Sequence, residues 1–197
     1  MISYALQILT HYIKLPAFLL ALAACFACWR SSERAEREGR MLRRQRTALS
    51  ILCAYLILAF EMLVFARTEK VGRHFALNLF WSYRAIAEGR TYLLYLDIFN
   101  VLLFVPLGVL FPMAERKPGF WKSVGLGAAL SLFAELLQAL TARGLFELDD
   151  LFHNIIGTAI GVGLWLLVSH LRMRGGSEAR QYERVVRRFF WDRRDRR

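Results

Sequence analysis

Apolar residues run along the chain in long blocks separated by short stretches rich in arginine. Five blocks, 8–29, 47–66, 92–112, 121–141 and 151–171, approach or exceed the roughly 20 residues a helix needs to cross a bilayer core. Hydrocarbon offers no partner to an open backbone, so each block is predicted to be an α-helix whose hydrogen bonds close within itself. The expected fold is therefore all-α: a multi-pass membrane helical bundle of about five transmembrane helices. An amphipathic C-terminal helix is expected to follow, because Tyr182, Val185, Val186, Phe189 and Phe190 recur at helical spacing against a basic face. The chain divides accordingly into 1–46 (a first helix and a basic connector), 47–172 (a four-helix membrane domain) and 173–197 (a basic tail).

Polar residues inside the blocks carry most of the information. Ser131, Glu135 and Gln138 are spaced by four and three, which puts them on one face of the fourth helix. The apolar run breaks at Arg143–Gly144 and resumes through Glu147, Asp149, Asp150, His153 and Asn154, with Asp150 and Asn154 again four apart. So short a break makes the two helices antiparallel neighbours and brings both polar stripes to one end of the bundle. A carboxylate within a span costs about 2.5–3.5 kcal/mol on insertion scales, which makes it a functional-site candidate. The plainer alternative is that these groups only join helices through hydrogen bonds.

Other polar positions are weaker. Asn100 sits in the first turns of the third block, near Asp97, which is expected to reach water. Pro106 and Gly108 are expected to bend the middle of that helix, and Gly157 and Gly161 form the G-x-x-x-G spacing of close helix packing. Glu61, near the end of the second block, reads as interfacial. The stretch 67–91 mixes arginines with Phe75, Phe80, Trp81 and Tyr83 and reads as a loop lying on the membrane.

Composition agrees with a membrane location: 56% of residues are hydrophobic and the mean hydropathy is +0.33. The net charge of +11 would suit nucleic acid, but the basic residues flank the apolar blocks, and no nucleic-acid partner is expected. With the N-terminus outside, twenty Lys and Arg flank the inner ends of the five blocks and seven the outer ends. The positive-inside rule then places the C-terminus in the cytoplasm and the polar motif residues at the outer face of the membrane. Their confinement to one end argues against a transport path. Leu22-Ala23-Ala24-Cys25 looks like a lipoprotein cleavage box, yet no basic region precedes it, so a retained first helix is expected.

Cys25-x-x-Cys28 is half a zinc site, and Glu135, Asp149, Asp150 and His153 fit no recognised metal-ligand spacing. No nucleophile elbow or phosphate loop occurs. No metal and no cofactor are expected.

Taken together, S-x-x-x-E-x-x-Q at 131–138, Arg143, and D-D-x-x-x-N-x-x-G-x-x-x-G at 149–161 resemble the VanZ-like family of bacterial membrane proteins. Asn100 with F-V-P-L-G at 104–108 matches an earlier element of the same family, and the resemblance spans roughly 47–172. It implies a part in tolerance to cell-wall-directed glycopeptides such as teicoplanin. The residues themselves suggest a polar, acidic pocket open to the outer leaflet, with Asn100, Ser131, Glu135, Gln138, Arg143, Asp149, Asp150 and Asn154 as ligand-binding candidates. The partners expected are membrane lipids, a lipid-linked cell-wall precursor or a lipophilic glycopeptide. Arg143 would pair an anionic group, while Asn100, Gln138 and Asn154 would supply neutral hydrogen bonds. A rival reading is a membrane enzyme with Glu135 and Asp150 as an acid–base pair. A third is a structural subunit. The sequence carries no signal of oligomeric state.

Overall fold

A computed structural model describes residues 15–65, 75–115, 118–142 and 144–173. In chain order these form α1 (Leu15–Arg37), α2 (Arg43–Phe60) with a π-helical turn at Glu61–Phe65, β1 (Phe75–Ala76), α3 (Trp81–Ala87), α4 (Tyr92–Ala114), α5 (Phe120–Thr141), β2 (Phe146–Glu147) and α6 (Leu148–Met173). All except α3 among the helices are long and apolar enough to cross a membrane. The all-α, multi-pass expectation therefore holds. The two short strands pair in parallel, Phe75 opposite Phe146 and Ala76 opposite Glu147. The expected tail helix and Arg143 lie outside the described residues.

α1 continues about two turns beyond the first apolar block. Its charged end is held by pairs at helical spacing: Arg30 to Glu33 at 3.0 Å, Arg34 to Glu38 at 2.8 Å, and Arg37 to Glu33. The connector to α2 is thereby reduced to a tight turn. There Arg46, only 8% exposed, stacks its guanidinium 3.8 Å from the Trp29 ring centre. It also donates to Trp29 O at 2.9 Å and Glu36 Oε2 at 2.7 Å, closing the hairpin.

The packing centre is the α4–α6 pair, and small residues explain its closeness. A Cβ added to Gly108 would lie 2.9 Å from Gly161 Cα, and one on Gly161 would lie 2.8 Å from Gly108 Cα. The backbones meet where a side chain would stand, as the G-x-x-x-G spacing predicted. α2 lies against α4, burying Leu52, Ala59, Leu63 and Val64 with Leu103, Phe104, Leu107 and Phe111. Pro106 has no N–H to offer Leu102, one turn back, yet α4 stays helical through it. Tyr55 on α2 donates to the next carbonyl, Leu103 O, at 2.7 Å.

α1 is peripheral. Only 11% of its apolar window is buried, against 33–44% for the other four.

Candidate functional site

The motif residues meet at one end of the bundle, where α5 ends and α6 begins. Ser131, Glu135, Gln138, Asp149, Asp150 and Asn154 are all buried, as is Asn100 on α4. In hydrocarbon such groups persist only when they find partners. Several of the partners among the described residues are backbone groups of the surface segments.

Glu135 Oε2 accepts from the Glu147 N–H at 2.8 Å, fixing β2, and through it β1. Gln138 Nε2 donates to Leu63 O at 3.1 Å, a carbonyl of the π turn. Such turns open the i to i−4 ladder and leave backbone groups to be satisfied from outside. Asp149 accepts from the N–H groups of Phe80 and Ser82, the latter at 2.9 Å. These lie at the start of α3, whose orphan donors a carboxylate suits. Phe80 adopts a left-handed φ of 67°, unusual for a residue with a side chain, and the Asp149 contact holds it there. Asn154 Nδ2 donates to Ser131 Oγ at 2.8 Å, a direct bond between the two predicted stripes.

Asp97 departs from expectation. Instead of reaching water it is 7% exposed, because α3 and the first turns of α6 cover the start of α4. Its neighbours are His153, Ser82, Asp149 and Asp150. His153 Nδ1 stands 3.7 Å from Asp97 Oδ1, and His153 Nε2 lies 2.8 Å from the Tyr83 hydroxyl. Burial, and then the Asp97 and Asp149 carboxylates, push the Tyr83 phenol above its ordinary value. Sequence reasoning weighed His153 only as a metal ligand and Tyr83 only as an interfacial aromatic. The signal for Asp97 and His153 was present, since both are ionisable residues in or beside an apolar block.

Among the described residues, no three or more His, Cys, Asp or Glu side chains are placed to hold a metal ion. Cys25, Cys28 and Cys53 are free thiols. A cavity of about 480 Å³ opens between α1 and α2 at the same end of the bundle, lined by Pro16, Leu20, Leu56, Ile57 and Phe60 with Glu61 at its polar edge. Glu61 begins the π turn that Gln138 holds, so the cavity adjoins the motif cluster without being formed by it.

Residues 16–169 match the VanZ/LLP1 family, a span that takes in α1 as well as the motif helices. The chain belongs to that family. It is also 30% identical over 66 residues to Protein VanZ of Enterococcus faecium, covering 34% of this chain and 41% of that protein. The match thus spans less than half the length of this relative. No solved structure matches significantly. Family membership and five apolar helices together make this a VanZ-family membrane protein.

Proposed function

We propose that this protein contributes to glycopeptide and lipoglycopeptide tolerance by engaging an amphiphile from the outer leaflet: a membrane lipid, a lipid-linked wall precursor or the lipidated drug itself. The observation that supports this reading is an apolar cavity of about 480 Å³ directly beside a buried polar cluster. That volume is within the usual 300–1,000 Å³ of ligand sites. An acyl chain would enter between α1 and α2, where α1 is held only from one side. The headgroup would remain at the polar end, over the surface segments that Glu135, Gln138 and Asp149 hold in place. Arg143, in the break between α5 and α6, would pair an anionic headgroup. The resemblance to the VanZ-like family supplies the link to antibiotics that act on the wall precursor.

The test compares survival under a lipoglycopeptide with membrane abundance in a susceptible host. Leu56→Trp fills the cavity, while Glu135→Gln, Asp150→Asn and Arg143→Gln remove charge at the polar end with little change of shape. All four are expected to lose protection at near-normal abundance. Full protection in all four would remove the amphiphile site, and absence of protection by the wild type would remove the antibiotic role.

A further inference from the structure

The Tyr83, His153 and Asp97 side chains form a chain of contacts that the amphiphile reading does not use. It runs from a half-exposed phenol on α3, through an imidazole 3% exposed, to a carboxylate 7% exposed on α4. With the Tyr83 hydroxyl on Nε2, the proton of a neutral imidazole belongs on Nδ1, facing Asp97. That order of phenol, imidazole and carboxylate has the logic of a nucleophile, a base and the group that orients the base.

A structural hydrogen bond alone accounts poorly for what surrounds it. His153 Nδ1 is buried without a hydrogen-bond partner. Such atoms are uncommon in native proteins and need a reason. The 3.7 Å from Nδ1 to Asp97 is too long for a hydrogen bond, as catalytic contacts often are before substrate binds. The groups facing His153 are Tyr83 from α3 and Asp97 from α4, with Asp149 and Asp150 one turn back on α6.

We propose that Tyr83, His153 and Asp97 form an acyl-transfer site in which the Tyr83 phenol, assisted by His153, attacks a carboxylic ester at the membrane surface. The ester class follows from position. Leu77, Leu79, Phe80 and Tyr83 expose apolar surface around the site, which seats this segment in the interfacial layer where lipid ester carbonyls lie. Tyr83 Oη forms a bond to the carbonyl carbon as its proton passes to His153 Nε2. The carbon–oxygen bond to the alcohol breaks, and the imidazolium returns that proton to the departing alkoxide. The products are acyl-Tyr83 and free alcohol, with no change of oxidation state. Water entering by the same proton path then releases the carboxylic acid and restores the phenol. The raised phenol fits this order of events, since Tyr83 is not a standing phenolate and must lose its proton as it reacts. Tyr83 is the catalytic residue, and His153 accepts and returns the proton. Asp97 is a positioning residue.

The probe is p-nitrophenyl butyrate, reacted with the full chain in lipid nanodiscs, with acylated tyrosines located by peptide mass spectrometry. Tyr92 and Tyr95, 59% and 73% exposed, serve as references within the same molecule. Tyr83 should be acylated at least about tenfold faster than either. Unassisted phenols react through their phenolate, so their rates climb about tenfold per pH unit up to about pH 10. The Tyr83 rate should instead climb less steeply, because His153 takes the proton as the phenol reacts. His153→Gln should remove the advantage and restore the full climb, Asp97→Asn should reduce the advantage several-fold, and Tyr83→Phe should eliminate the labelled site. An unchanged thermal-unfolding profile in nanodiscs shows that a variant is folded. Should His153→Gln fail to fold, the wild-type ratio and pH profile decide alone. Equal rates at the three tyrosines, or a Tyr83 rate that climbs with pH like the others, would overturn the proposal.

Discussion

At the scale of single residues, the motif side chains act mainly on backbone far away in sequence. Asp149 reaches the N–H groups of Phe80 and Ser82, and Gln138 reaches Leu63 O. Hydrogen bonds to a charged group contribute about 1.5–3 kcal/mol each, so Asp149 is a principal tether of α3. Asp149→Ala is expected to speed amide exchange across 80–87 by at least tenfold while leaving α4 and α6 protected. Asp149→Asn, which keeps one acceptor oxygen, should fall between. Exchange measured by mass spectrometry in nanodiscs checks this, and equal protection in all three proteins would show that α3 is held by something else. The sequence marked Asp149, Glu135 and Gln138 correctly as costly polar residues, because their expense is visible from hydropathy alone. Their partners were not legible, since a backbone N–H has no residue type to betray it. Asp97 was misjudged for a related reason: what covers it is a helix that the apolar pattern does not reveal.

At the scale of elements, the five long helices were legible because hydrocarbon thickness sets their length. Their ends were less so. α1 runs on to Arg37, and the i, i+3 and i, i+4 spacing of Arg30, Glu33, Arg34, Arg37 and Glu38 was a readable sign that the helix outlasts the apolar block. α3 has seven residues, too few to establish a period, and it is held by tertiary contacts rather than by local propensity. Close packing was read from Gly157 and Gly161 but not its partner, α4, and the seam permits a sharp test within one helix. Gly161 abuts the α4 backbone, whereas a Cβ at Gly163 meets nothing within 4 Å. Gly161→Leu should destabilise the bundle by more than the usual 1–3 kcal/mol of overpacking, since backbone cannot step aside as a side chain can. Gly163→Leu, facing outward two residues later, should be nearly neutral. Thermal unfolding and yield of monodisperse protein in detergent distinguish the two, and similar behaviour would mean that the close seam is not what holds α4 to α6.

At the scale of the whole molecule, both the cavity and the buried cluster occupy one end, and the arginine-rich α1–α2 turn occupies the other. Which end faces outward decides what either site can meet. Lipidated drugs and exported wall precursors approach from outside, so the amphiphile reading needs the α3 end on the outer face. The bias of twenty basic residues against seven predicts that orientation, because basic flanks are retained in the cytoplasm during insertion. Glu38, in the turn after α1, and Asn78, just before α3, are both exposed and mark opposite ends. With Cys25, Cys28 and Cys53 replaced, Asn78→Cys should react in intact cells with a membrane-impermeant maleimide. Glu38→Cys should react only after permeabilisation. The reverse pattern would turn the polar end to the cytoplasm. Capture of an external drug would then be ruled out, while ester chemistry at Tyr83 would survive on the inner leaflet, since lipid esters are present on both faces of the bilayer. The two proposals therefore separate on this one measurement, and orientation is the experiment to perform first.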